Sequence, residues 1–146
     1  MNIVITGANR GLGFELVKKF MGQGHHVAAC YYPGAAYDDL QSLFKIDEKL
    51  LALIPMDVTK EEDVAKAAEL IREKLYPVNA VISNAGILCD HDRQSNVLEM
   101  LAEDLRISLE VNLLGPAMVI RYFCPLVEKS MKSTFSCSKI ILNMYT

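Results

Sequence analysis

Met1 to Thr6 is almost wholly apolar and too short for a helix, which predicts a buried strand. From Gly11 the period changes. Leu12, Leu16, Val17, Phe20 and Met21 recur on one helical face, while Glu15, Lys18, Lys19 and Gln23 fall largely elsewhere, so an amphipathic helix follows directly on a glycine turn. Gly22-Gln23-Gly24 stops it. His25 to Tyr31 then reads as a second strand through Val27, Ala28 and Ala29, and the helix becomes the crossover to a parallel neighbour. Beyond Pro33-Gly34 the pattern predicts a short helix or turn from Asp38 to about Phe44 and a third strand from Leu50 to Pro55. The next helix opens at Thr59 with Glu61, Glu62 and Asp63 and continues through Val64, Ala67, Ala68, Ile71 and Leu75. Val78 to Ser83 is the fourth strand, turned by Asn84-Ala85-Gly86. Strands alternating with helices at this spacing predict an α/β fold with a doubly wound parallel sheet.

Ile87 to Gln94 is polar and loop-like, and Asn96 to Met100 has room for one helical turn. A long helix is predicted from Asp104 to about Lys129, with a broad apolar surface from Leu105 to Leu126; Pro116 and Pro125 predict a bend or break in it. No repeat or linker divides the chain, so residues 1–146 are read as one domain.

A net charge of -3, with both signs interspersed, gives no basic surface for nucleic acid or acidic membranes. The four cysteines are widely spaced without a Cys-x-x-Cys pair, which suits a reducing compartment. No segment is read as reaching the apolar length of a membrane span, and Met1 runs into a core strand without room for a cleaved signal, so a cytoplasmic location is expected. His25, His26 and His91 have no acid or cysteine spacing for a metal, and none is expected.

The candidate chemistry begins at the glycine turn. Gly7 lets the chain leave the strand in a conformation costly for other residues, and Gly11 and Gly13 remove side chains where a pyrophosphate and the sheet approach the backbone. The first N–H groups of the following helix and the positive end of its dipole favour a phosphate. A purely structural glycine turn is the alternative. Asp57 and Asn84 stand at successive strand ends, where an open parallel sheet binds ligands, although Asp57 alone could cap the next helix and Asn84 alone could make a turn.

These motifs, in this order, resemble the short-chain dehydrogenase/reductase family over nearly the whole chain. Thr6-Gly7-Ala8-Asn9-Arg10-Gly11-Leu12-Gly13 is similar to its cofactor motif, Asp57-Val58 to its adenine-contact position, and Ser83-Asn84-Ala85-Gly86 to its Asn-Asn-Ala-Gly motif with serine in first place. Val111-Asn112 is similar to the segment bearing the family's structural and catalytic asparagine, and Glu110 to Pro116 looks most like the carbonyl-reductase-like branch. The resemblance implies a Rossmann-type sheet of strand order 3-2-1-4, incomplete on its C-terminal side, and a dimer or tetramer. It also implies hydride transfer between a nicotinamide cofactor and a small carbonyl or alcohol, with Asp57 on the adenine amino group, Val58 beside the ring, and Asn84 to Gly86 passing adenine and ribose.

Cofactor choice turns on the end of the second strand, where Cys30-Tyr31-Tyr32 carries no carboxylate to repel the extra phosphate of NADP(H). Arg10 can reach toward that phosphate, or be a surface residue; Tyr31 stands where many NADP-linked relatives carry a second arginine. NADP(H) is favoured over NAD(H). The family's proton-donating Tyr-x-x-x-Lys is absent from the sequence. The tail admits two alignments. In one, Lys139 to Met144 is a fifth strand and Thr146 takes the place of the catalytic serine. In the other, Phe135 to Lys139 begins the helix that follows, with Phe135 in place of the tyrosine. Tyr122 is read as a packing residue, and Asn112 as a site residue whose alternative role is to bend the helix.

Overall fold

The computed structural model describes residues 1–89, 101–127 and 134–137. Strand β1 (Asn2–Thr6) is central because Val4 and Ile5 are fully buried, one on each face. It pairs in parallel with β2 (His26–Tyr31) on one side and β4 (Ala80–Ser83) on the other. β3 (Leu51–Pro55) extends the sheet beyond β2, and β5 (Thr134–Cys137) extends it beyond β4. The order is β3-β2-β1-β4-β5, as expected for a Rossmann-type sheet.

The alternation of β1 divides its side chains between two cores. Ile3 and Ile5 pack with Val27, Ala29 and the Val17–Met21 face of α1 (Gly11–Gly22). Val4 packs on the opposite face with Ala28, Ile54 and Val81, beneath Val64, Ala67 and Ile71 of α3 (Glu61–Leu75). Helix α2 (Asp38–Ile46) closes the first core through the fully buried Leu40.

The long helix spans Ala102–Leu126 without a break in the chain path: α4 (Ala102–Leu109), wide π turns over Glu110–Leu114, α5 (Gly115–Phe123) and a 3₁₀ turn at Cys124–Leu126. The expected bend is thus resolved by a change of helical pitch. Pro116 has no N–H to offer the carbonyl four residues back, that of Asn112, and the Gly115 N–H bonds the Glu110 carbonyl five residues back. By length and composition this helix would suffice to cross a bilayer, contrary to the expectation that no segment reaches that length. Its Val119 and Phe123 are nevertheless fully buried against the sheet.

Two further expectations change. Leu12 is 56% exposed and leaves the buried face of α1. The strand beside β4 is Thr134–Cys137, not the expected Lys139 to Met144, and Phe135 lies within it rather than at the start of a helix, so neither alignment of the tail holds as drawn. Lys139 to Met144 lies outside the described residues.

Candidate functional site

Parallel strands end on the same edge of a sheet, so the turns after β1, β3 and β4 meet. The β1 and β4 ends are joined by Thr6, whose buried Oγ1 accepts the N–H groups of Asn84 (3.0 Å) and Ala85 (2.9 Å). Asn84 returns the contact: its Nδ2 donates to the carbonyls of Thr6 (3.0 Å) and Gly7 (3.1 Å). Gly7 has φ +63, and a Cβ there would lie 2.7 Å from the Ala85 Cα, so only glycine permits both the turn and the approach. Gly13 sits just below. A Cβ on it would overlap the Gly7 carbonyl oxygen and come within 2.5 Å of Asn84 Nδ2.

Above this junction lies a cavity of about 770 Å³, within the range of small-molecule and cofactor sites. One wall is the glycine turn, with Asn9, Arg10, Gly11 and Leu12 beside Gly7. The β3 end supplies Asp57 and Val58, and the β4 turn supplies Asn84, Ala85 and Gly86. Leu12, Leu88 and Ile107 form an apolar flank, which accounts for the exposure of Leu12.

The expected residues do not all meet there. Tyr31 does not line the cavity: it stacks on Tyr37, with ring centroids 4.3 Å apart, and burial together with the Tyr37 hydrogen bond pushes its phenol pKa up. Adjacent residues at a strand end point to opposite faces, and the half-exposed Tyr32 takes the place in the wall that was assigned to Tyr31. Gly13 supports the floor without forming it. Asn112 spends its amide on the chain itself, accepting from the Ile87 N–H and donating to the Ile87 carbonyl, both at 2.9 Å. It therefore holds the segment after β4 against the π turns, as a positioning residue. Thr146 lies outside the described residues.

Asp57 proves to organise the turn before α3. Its Oδ1 accepts from the Thr59 N–H (3.0 Å) and hydroxyl (2.7 Å), and Lys60 Nζ lies 3.8 Å from Oδ2. Lys60, not Thr59, is the N-cap of α3. Tyr122 packs as expected beside the α3 core and also donates its hydroxyl to Glu61 (2.6 Å). The Thr6 hydroxyl and Tyr32 were not foreseen. Strand parity would have pointed to Tyr32, whereas the Thr6 bonds span more than seventy residues and leave no local trace.

A dinucleotide fits these residues. Among the described residues the N-terminus of α1 has no side-chain cap, and its first turn has no acidic residue to compete with a phosphate. Gly11 has φ +55, and a Cβ built on it meets nothing within 4 Å, so the backbone faces open space. Asn84 Oδ1 is buried and has no partner among the described residues, an acceptor that a ligand donor could satisfy. The family model of short chain dehydrogenases matches residues 1–143. The chain belongs to the short-chain dehydrogenase family.

A short-chain dehydrogenase of Pyricularia oryzae is 29% identical over 137 residues, covering 92% of this chain and 54% of its own length. An NADPH-dependent pterin aldehyde reductase of Arabidopsis thaliana is 31% identical over 125 residues, 86% of this chain and 50% of that one. A carbonyl reductase structure from Pseudomonas aeruginosa PAO1 superposes with a TM-score of 0.77 at 26% identity, over 88% of this chain and 57% of that one. The chain thus spans about half the length of the short-chain dehydrogenases it matches. The family binds a nicotinamide cofactor, and the cavity lies at the strand ends where an open parallel sheet places one.

Proposed function

We propose that this chain is the cofactor-binding half of a carbonyl-reductase-like oxidoreductase that passes hydride between NADP(H) and a small carbonyl compound or alcohol. The observation that carries the reading is the cavity itself: the glycine turn, the uncapped helix end and the Asn84 turn converge on one space of dinucleotide size. Bound there, the nicotinamide supplies or accepts the hydride. The chain's own residues bind and orient. The first N–H groups of α1 and the Arg10 guanidinium take the phosphates, Asp57 and Val58 take the adenine, and Asn112 fixes the Ile87 backbone beside the cavity.

The preference for NADP(H) rests on the absence of a carboxylate at the end of β2 and on Arg10, and is supported by the NADPH dependence of the Arabidopsis relative. One observation favours a second reading, a catalytically silent nucleotide-binding or interaction module: no Tyr-x-x-x-Lys occurs in these 146 residues. Titration of the chain with NADPH and NADH, followed by nicotinamide fluorescence, separates the possibilities. Saturable binding, tighter for NADPH, is expected, with negligible carbonyl reduction by these residues alone. Failure to bind either cofactor would defeat the assignment, and sizeable turnover would remove the silent reading.

A further inference from the structure

Resting on the reading that the cavity takes a dinucleotide, we propose that Gly115 is a positioning residue whose bare backbone sets where Val58 stands in the cavity wall, and thereby the fit of the adenine. Val58 follows β3, lines the cavity and is only 7% exposed, so it is otherwise packed. Against it stands Gly115, where the π turns meet α5. A Cβ built on Gly115 would lie 2.9 Å from Val58 Cγ2 and 3.1 Å from Val58 Cβ. The atoms met are a branch and its root, and a β-branched side chain cannot swing both aside. Any side chain at 115 would therefore displace Val58 from the wall or lift the long helix off the β3 turn.

The π turns give this contact a counterpart on the other wall. The Gly115 N–H reaches the Glu110 carbonyl five residues back, and so wide a turn splays Asn112 and Gly115 further apart around the helix than an α-turn would. Asn112 holds the Ile87 backbone after β4 with two bonds of 2.9 Å, while Gly115 abuts Val58 after β3. One short stretch of the long helix thus touches both turns that would enclose the adenine. Further along, Tyr122 donates to Glu61 Oε1 (2.6 Å) and Arg121 Nη1 lies 3.2 Å from the same oxygen, so the first residue of α3 is tied to this helix as well. A wall already held in place leaves less to be ordered when a ligand arrives.

The test is NADPH titration of the 146-residue chain and of Gly115→Ala, Val58→Ala and the double variant, with melting temperatures to show that each is folded. Gly115→Ala is expected to weaken NADPH about tenfold, within the range of one methyl forced into a packed contact. Where Val58 is already alanine the same change is expected to cost about twofold or less, because the branch it would strike is gone. A glycine that served only the helix would cost the same in both backgrounds, and that result overturns the proposal. If Gly115→Ala does not fold, Tyr122→Phe decides. It keeps the ring, removes the exposed bond to Glu61 and is expected to weaken NADPH about threefold; unchanged affinity overturns the proposal. A parent chain that binds no NADPH sinks the dinucleotide reading together with this one, whereas binding without coupling removes only this one.

Discussion

Replacing Thr6 by valine removes one oxygen from a fully buried site and leaves the shape of the side chain almost unchanged. That oxygen accepts two backbone N–H groups, from Asn84 at 3.0 Å and from Ala85 at 2.9 Å, and these bonds lock the central strand to its neighbour beneath the cavity. A buried donor left without an acceptor costs about 1–3 kcal/mol. The Asn84 bond is buried and the Ala85 bond partly so, which places the expected loss at about 2–4 kcal/mol. Thr6→Ser is the control, since it keeps the oxygen and gives up one methyl, worth about 1 kcal/mol. Urea denaturation followed by circular dichroism is the assay. With a slope of about 1–3 kcal/mol per molar urea, the valine midpoint should fall by about 1 M or more and the serine midpoint by clearly less. A valine variant as stable as the serine variant, at equal slope, would show that the two N–H groups do not depend on this hydroxyl. The same variant should bind NADPH more weakly, because the floor of the cavity is the segment those bonds hold.

Gly11→Ala puts a methyl where nothing stands within 4 Å, at φ +55; a loss of about 1–2 kcal/mol in stability is expected from the left-handed backbone. Its effect on NADPH affinity should exceed that, and equal losses in the two measurements would argue that no ligand passes Gly11. Asn112→Ala deletes both bonds to Ile87, and native-state hydrogen exchange at the Ile87 amide should accelerate at least tenfold. Unchanged exchange would mean that the π turns hold that segment by other means. Burial pushes the Cys30 thiol from 9.0 up to about 12, so the unfolded chain loses this proton at lower pH than the folded one. Its contribution is complete below about pH 9 and is lost as pH rises from there towards 12. Urea midpoints should therefore decline more steeply across that window than in Cys30→Ala, and parallel declines would refute the assignment.

Much of this architecture is written in short-range pattern. The short apolar run of β1, the change to a helical period at Gly11 and the acidic start of α3 depend on neighbours within a turn or a strand, and they mark the alternation of strands and helices, while the strand order that the sheet adopts was what the family resemblance implied. The glycine spacing likewise marks the turn between β1 and α1, because part of its requirement is local: a positive φ at Gly7 and Gly11. Other features arise only when distant segments meet. The Thr6 hydroxyl reaches the backbone more than seventy residues away, and the pairing of Asn112 with Ile87 joins residues twenty-five apart on different elements. The π turns before Pro116 and the choice of Thr134–Cys137 as the partner of β4 are also settled by packing and pairing across the sheet. Periodicity tells which side of an element is apolar. It carries no record of which polar groups will be brought within hydrogen-bonding distance, and at the strand ends of this chain that record is what shapes the site.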